Sequence, residues 1–219
     1  TPTKAGSDGG ETLRIVKDGS LLAEGKSGNK STYQIEVTIP AGIWNSFQME
    51  TLLHKSMKQN GPGRNTTNAN PNFVLTEMII KLEGSSKPLG FGRVIADFNQ
   101  AGFLPEQLFD GNLDTRNGWA IAPEFGIAHW VQAEFAEDLV LSEDSKLHIE
   151  MKHLYGGGRN VGRPRFSLST DGVKKSEADK KRLHELLAKE KRNGKEEKEL
   201  RVIFDQENPK LLSLQKKVE

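Results

Sequence analysis

Strict alternation of apolar and polar residues is the feature that most limits the folds open to this chain. In residues 32–40 the apolar side chains recur at every second position, as Tyr33, Ile35, Val37 and Ile39. Successive side chains of an extended strand point to opposite faces, so this pattern predicts a strand with one face in a core and one in solvent. Residues 146–154 alternate in the same way. The two patterns favour a β-rich fold.

Further short apolar segments are separated by glycine-rich turns. The Asp18-Gly19 pair between two apolar runs predicts a β-hairpin. Additional strands are predicted at 43–52, 72–83, 130–135, 139–141 and 165–170. The segment 72–83 is apolar in its majority, as expected of one long strand buried on both faces. Many short strands joined by such turns predict a mainly β protein, a jelly-roll β-sandwich over residues 11–172. Residues 1–10 are rich in Gly, Ser and Thr, and we expect them to be poorly ordered.

The character of the chain changes near Asp171. Residues 176–192 carry Leu183, Leu186 and Leu187 at helical spacing after Ser176, a residue type favoured at helix N-termini. Residues 195–204 and 209–218 are predicted as two further short helices. The sequence therefore predicts a small α-helical C-terminal appendage over residues 173–219, which packs on the sandwich or leads to a further domain of a larger protein.

Composition restricts the classes of function. The chain has 219 residues, of which 28% are charged, and a formal net charge of +1. Balanced charge argues against a sequence-independent nucleic-acid binder, which needs a basic surplus. There is no cysteine, which excludes disulfides, thiolate metal sites and covalent haem attachment through Cys-x-x-Cys-His, so no haem is expected in this chain. No apolar run reaches the length of a membrane span, and the first residues do not read as a signal peptide. We expect the chain to be a fragment of a longer polypeptide.

The motifs that accompany common catalytic sites are absent from the sequence. It contains no nucleophile elbow, zinc-protease motif, phosphate-binding loop or dinucleotide fingerprint, which predicts a protein that is not an enzyme. Glu134 and Glu150 on two predicted strands offer an acid and a base for glycoside hydrolysis, but such pairs arise by chance among 30 acidic residues. His129 and His153 have no partner at metal-ligand spacing, and packing or surface roles are expected of them.

Three oxygen-bearing side chains lie within six residues on a predicted tight turn. Asp110, Asp114 and Thr115, together with backbone carbonyls, offer the hard oxygen ligands that Ca²⁺ prefers. The alternative is a metal-free turn of the Asx type that is capped by Thr115.

Aromatic, arginine and amide side chains near two loops suggest a ligand-binding rim. A sugar presents an apolar C–H face that stacks on an aromatic ring and hydroxyls that pair with amides, while arginine binds carboxylate or sulfate. The Gly156–Arg159 loop would let backbone approach a ligand closely. The candidate rim residues are Trp119, Tyr155, Arg159, Arg163, Asn99 and Gln100. The alternative is that Trp119, like Trp130, belongs to the core and the glycines only turn the chain.

Two family resemblances attach to these segments. The run LFDGNLDTRNGW (108–119) with His129-Trp130 downstream resembles the signature of discoidin-type and galactose-binding-like jelly-roll modules. A closer resemblance covers about residues 10–170: several motifs, in the same order, are similar to those of the carbohydrate-binding-module-like β-domain in large planctomycetal cytochrome c-like surface proteins. These motifs are GPGR (61–64), NFVLTE (72–77), ADFNQ (96–100), GWAIA (118–122), YGGG (155–158), VGR (161–163) and RFSL (165–168).

The closer resemblance implies a non-catalytic module. It would bind extracellular or cell-surface polysaccharide, bring the rest of a cytochrome c-like polypeptide to it, and lie outside the cell, in the periplasm or in the cell envelope. The alternative is a structural or protein-interaction module within that polypeptide, which exposed and adjacent Trp119 and Tyr155 would argue against.

The discoidin-type resemblance bears on the metal and on the topology. In those modules the equivalent turn wraps a structural Ca²⁺ that a strand carboxylate completes, and the strand-like segment 75–84 makes Glu77 that ligand here. This strand comes last in the discoidin order but precedes the turn in this chain, which implies a circularly permuted relative.

Overall fold

Two antiparallel sheets of four strands each form the structure around the core. The structure is a computed structural model that describes residues 1–67, 70–172, 185–189, 191–197 and 200. The chain divides into two units, Thr1–Gly172 and Val173–Glu219. Both sheets belong to the first unit.

Twelve strands and two 3₁₀ turns make up the described part of the first unit. In chain order the strands are β1 Pro2–Ser7, β2 Thr12–Ile15, β3 Leu21–Glu24, β4 Ser31–Ile39, β5 Gly42–Thr51, β6 Val74–Leu75, β7 Glu77–Leu82, β8 Phe91–Ala96, β9 Trp119–Ala120, β10 His129–Leu141, β11 Ser145–His153 and β12 Pro164–Ser169; the 3₁₀ turns are Lys58–Asn60 and Pro105–Leu108. The first sheet has the order β1-β4-β11-β7 and the second the order β12-β5-β10-β8. Strands β2 and β3 form a hairpin, and β6 pairs with β9. The mainly β fold predicted from the sequence is confirmed.

The core lies between the inner faces of the two sheets. The predicted alternation in β4 is confirmed, since Tyr33, Ile35, Val37 and Ile39 are all buried. Ile35 pairs with Ile149 of β11 in the same sheet. Each such side chain removed from water stabilises the fold by about 1.5–3 kcal/mol, which offsets part of the entropy lost on ordering the chain.

The N-terminal residues are ordered, contrary to the expectation from their composition. β1 pairs antiparallel with β4, with Ala5 opposite Ile35 and Ser7 opposite Tyr33. An edge strand is held by its backbone hydrogen bonds and needs no apolar pattern, so Gly/Ser/Thr-rich sequence does not exclude it. The sandwich therefore begins before residue 11.

The predicted strand 72–83 is two strands in different sheets. β6 pairs with β9, whereas β7 pairs with β11. Gly118, next to β9, approaches this junction so closely that a Cβ atom on it would lie 2.0 Å from the Leu75 carbonyl oxygen. The two strands predicted at 130–141 are instead one strand, β10, with a register irregularity between Glu134 and Leu139.

The second unit is described only in part. Residues 185–187, 194–197 and 200 are helical, whereas residues 188, 189, 191 and 192 of the first predicted helix are not. The rest of the three predicted helices lies outside the described residues. Within the described parts of the chain, the structure contains no helix with the length and apolarity that a membrane crossing requires.

Candidate functional site

A glycine-rich loop after β11 packs against the loop that precedes β6. The Thr66 N–H and hydroxyl both donate to the Gly157 carbonyl oxygen, at 2.8 and 2.9 Å, and the Val74 N–H donates to the Arg159 carbonyl oxygen at 2.9 Å. Gly156, Gly157 and Gly158 have φ values of 95°, 69° and 63°. Such left-handed conformations are strained for residues with a Cβ atom, so the glycines are needed for the shape of this loop.

A buried carboxylate ties this loop to the N-terminal part of the chain. Glu11 accepts hydrogen bonds from Ser7 Oγ at 2.6 Å, Gly28 N–H at 2.6 Å, Ser31 Oγ at 2.8 Å and Asn160 Nδ2 at 2.7 Å. Burial alone would raise the pKa of Glu11, but the hydrogen bonds from Ser7, Gly28 and Ser31 outweigh it and lower the pKa. The ionised carboxylate therefore anchors the glycine-rich loop. Sequence reasoning missed Glu11 because its partners are far apart along the chain.

Tyr155, Phe103 and Arg159 form a surface cluster that we call the aromatic platform. Tyr155 is 39% exposed, and its ring centroid lies 5.9 Å from that of Phe103, with the planes inclined by 58°. The Arg159 guanidinium carbon lies 4.8 Å from the Tyr155 ring centroid, and Nη1 donates to the Gly156 carbonyl oxygen at 3.1 Å. Arg159 was predicted as a rim residue beside Tyr155, and the structure brings the two together. Phe103 was not among the predicted rim residues.

The two predicted amide residues lie in the loop that carries Phe103. Asn99 Nδ2 donates to the Gln100 carbonyl oxygen at 3.3 Å, and the Gln100 carbonyl also accepts the Phe103 N–H at 2.9 Å. Gln100 Oε1 accepts a hydrogen bond from Asn72 Nδ2 at 3.0 Å. Both side chains are half-buried. The Gln100 Nε2 group, a donor, has no hydrogen bond among the described residues and is available to a ligand.

Trp119 lies in the core, which corrects its prediction as a rim residue. Its side chain is 0% exposed, its Nε1–H donates to the Phe98 carbonyl oxygen at 2.9 Å, and its ring packs edge-on against Phe73 at 5.0 Å. A ring with no exposed face has no surface on which a sugar can stack. An exposed pair of Trp119 and Tyr155, which would argue against a structural module, is therefore not formed; the aromatic neighbour of Tyr155 is the half-buried Phe103.

The Arg163 guanidinium donates its hydrogen bonds to other residues of the protein, which corrects its prediction as a ligand-binding residue. Nε donates to Ser20 Oγ at 3.0 Å, Nη1 to the Leu53 carbonyl oxygen at 3.0 Å, and Nη2 to Asp18 Oδ2 at 2.7 Å. The guanidinium joins the turn between β2 and β3 to the segment after β5. These bonds give Arg163 a role in holding the fold.

Trp130 and Glu134 of β10 and Glu150 of β11 lie on outer faces of the two sheets, which the sequence did not predict. Trp130 was expected in the core, but it is half-buried between the inward-facing His129 and Val131, so it belongs to the outer face of the second sheet. Glu134 shares this outer face, whereas Glu150 alternates with buried Ile149 and lies on the outer face of the first sheet. This pair of glutamates, on opposite outer faces, does not enclose one substrate.

Glu77 is a buried carboxylate beside the Asp110 turn. It is 4% exposed, and its Oε2 atom has no hydrogen-bond partner among the described residues. Burial raises the pKa of Glu77 to about 7, the Asp110 charge adds to this rise, and the Gly111 N–H and Lys152 oppose it. A positive charge bound here would relieve both the burial of the carboxylate and its repulsion by Asp110.

The turn itself is a series of side-chain-to-backbone hydrogen bonds. Asp110 Oδ1 accepts the Asn112 N–H at 2.8 Å, Asn112 Oδ1 accepts the Asp114 N–H at 3.0 Å, and Asp114 Oδ1 accepts the Arg116 N–H at 2.8 Å. Asp114 and Thr115 are exposed. The structure thus brings Asp110 to Glu77, while Asp114 stays on the solvent side of the turn. No group of three or more His, Cys, Asp or Glu side chains suited to a metal is found in the part of the chain that the structure describes.

Comparisons of the chain with protein-family models, with curated proteins and with solved structures found no match. Fold and site together define a β-sandwich that presents an aromatic and cationic surface on a glycine-rich loop.

Proposed function

We propose that the first unit is a non-catalytic module that binds polysaccharide through the aromatic platform. The observation that carries the proposal is the exposed Tyr155 ring, which is set against Phe103 and has the Arg159 guanidinium over it. The glycine-rich loop under it is anchored by Glu11 through Asn160. A platform held in place before binding loses less entropy when a ligand settles on it.

The chemistry of the platform suits a sugar ring. Aromatic faces bind the C–H face of a pyranose, and exposed amides and guanidinium groups supply the polar pairing that orients it. Tyr155 and Phe103 offer the apolar part, and Gln100 and Asn99 the amides. Arg159 offers Nε and Nη2, for which the described residues provide no acceptor, and a guanidinium of this kind pairs with a carboxylate or sulfate group.

The setting of the module follows from the resemblance to the cytochrome c-like surface proteins. In this proposal the chain is part of such a polypeptide, which it directs to polysaccharide outside the cell or in the cell envelope. The sandwich is a circularly permuted jelly roll of the galactose-binding type. Its alternation between sheets, from β4 to β5, β7 to β8 and β11 to β12, supports that topology.

A structural Ca²⁺ held by Glu77 and Asp110 is part of the proposal. The fit is supported by the Oε2 atom of Glu77, a buried oxygen for which the described residues provide no hydrogen-bond partner, and by the second carboxylate beside it. When bound, the cation would supply the positive charge that lets the buried Glu77 carboxylate stay ionised beside Asp110. Asp114 and Thr115, which the turn directs to solvent, are left out of the ligand set.

Affinity electrophoresis tests the binding function. The chain is run through gels that contain neutral or anionic polysaccharides, with calcium and with EDTA, and we expect one class to retard it. Tyr155→Ala should lose at least about 1 kcal/mol of binding free energy, which is a fivefold to tenfold loss in affinity, because the exposed stacking surface is gone.

The matched control is Val140→Ala. Val140 is 67% exposed and lies near the C-terminal end of β10. The chain then returns along β11, from Ser145 to His153, before it reaches Tyr155, so Val140 and Tyr155 lie at opposite ends of the sandwich. Equal retardation of Tyr155→Ala and the unaltered chain would contradict the platform. Absence of retardation in every gel would favour a structural or protein-interaction module.

A further inference from the structure

The side-chain nitrogen of Asn117 sits where three oxygens of the calcium turn converge. Asn117 is 4% exposed, and its Nδ2 atom lies 3.1 Å from the Gln107 carbonyl oxygen, 3.0 Å from Asp110 Oδ1 and 3.0 Å from the Asn112 carbonyl oxygen. An amide nitrogen carries only two hydrogens. The turn therefore gathers more acceptor oxygens around this point than the amide can satisfy.

Glu77 is a second observation that points to a cation at this position. It belongs to β7 and not to the turn, it is buried, and its Oε2 atom has no hydrogen-bond partner in the part of the chain that the structure describes. A buried polar atom without a partner is costly and rare in folded proteins. Carboxylate and carbonyl oxygens are the kinds of ligand that Ca²⁺ takes, with water at its remaining positions.

We infer that Asn117 is a plug in this site: its amide nitrogen occupies the place of the cation, and calcium must displace it to bind. The inference rests on the calcium site proposed above. Ca²⁺ lies about 2.4 Å from its oxygen ligands, so the three oxygens need to close by only about 0.6 Å around it. In the absence of metal, the Asn117 hydrogen bonds keep these oxygens together.

The plug has two opposite consequences. It holds the turn in shape without a cation. It also lowers the affinity for the cation, because only the molecules in which the amide has left its place can bind one. Removal of the amide should therefore weaken the metal-free fold and strengthen calcium binding. A purely structural asparagine would show only the first effect.

Calcium titration by isothermal calorimetry, with thermal unfolding in EDTA, tests the inference on the full chain. Asn117→Ala should bind calcium about tenfold more tightly than the unaltered chain and unfold at a lower temperature in EDTA. Asn117→Ser is measured in parallel, and its calcium affinity is obtained by competition with a chelator from the calcium-loaded protein, in case the alanine variant fails to fold without metal. Asn45→Ala is the matched control, since the Asn45 amide also donates to an aspartate, Asp138, but outside the turn. We expect it to bind calcium like the unaltered chain.

The outcomes separate the plug from the site. If the unaltered chain binds calcium and both Asn117 variants bind it no more tightly, the inference that Asn117 blocks the site is wrong, and the proposed calcium site is supported. If neither the unaltered chain nor an Asn117 variant binds calcium, the site and the plug are both wrong, and polysaccharide binding is still judged by its own gel experiment. Glu77→Gln should abolish calcium binding in either background.

Discussion

Two buried histidines illustrate how single side chains are set by their hydrogen-bond partners. His129 Nδ1 lies 2.9 Å from Asp97 Oδ2, and Nε2 lies 2.8 Å from the Glu124 carbonyl oxygen. Both partners only accept, so a protonated ring can donate from both nitrogens, and this arrangement favours the cationic form. His153 instead donates to the Ser31 carbonyl oxygen and accepts the Val161 N–H, and burial lowers its pKa to about 4. It stays neutral.

The paired His129 predicts a loss of stability on the alkaline side. Burial lowers the pKa of His129, but the hydrogen bonds to Asp97 and Glu124 outweigh it, and the net shift is upward. The stabilisation is complete below the unfolded-state pKa of about 6.5 and is lost as pH rises through the folded-state pKa. Urea unfolding at a series of pH values should show the free energy of unfolding falling above about pH 6.5.

The matched variant for this test is Asp97→Asn. It removes the charge that stabilises the imidazolium, so its stability should be lower near pH 6 and should fall less with rising pH. Parallel pH profiles for the two proteins would contradict a cationic His129.

At the scale of the element, sequence patterns identify strands better than they identify faces. Alternation in β4 and β11 and the Asp18-Gly19 turn are readable because one face of each strand is buried and the turn chemistry is local. An apolar run gives no sign that the chain changes sheet at Thr76. The residues around a tryptophan likewise do not reveal which face of a sheet it occupies. Trp119 was predicted at the rim and lies in the core, and Trp130 was expected in the core and lies on the outer face.

The junction of β6, β7 and β9 depends on a glycine at position 118. Gly118 has a φ of 115°, and a Cβ atom would collide with the Leu75 carbonyl oxygen and the Thr76 Cα atom. Backbone atoms cannot move aside as a flexible side chain can, so Gly118→Ala should destabilise the protein by about 3 kcal/mol or more in urea unfolding.

Gly111→Ala is the control for backbone conformation alone. Gly111 also has a positive φ, of 75°, but no atom of the described residues lies within 4 Å of a Cβ atom built there. Its cost should stay near 1 kcal/mol. Equal losses in the two variants would mean that close packing at Gly118 does not matter.

For the whole molecule, the sequence indicated a ligand-binding rim but could not assemble it. Tyr155 and Arg159 are four residues apart and share a glycine-rich loop, so their neighbourhood is readable. Phe103 reaches Tyr155 only through the tertiary fold, and so does the chain of bonds from Glu11 to Asn160 that supports the loop. Arg163 looked available because Asp18 and Ser20, which occupy it, are distant in sequence.

Polysaccharide binding at the aromatic platform is the central claim, and NMR titration tests it most directly. The isotope-labelled chain is titrated with oligosaccharides from the polysaccharide that retards it most. We predict that the largest chemical-shift changes fall on Phe103, Tyr155 and Arg159, with Gln100 following, and that Val140 is unchanged. Shifts centred on the outer face of the second sheet, around Trp130, with none at Tyr155, would contradict the account.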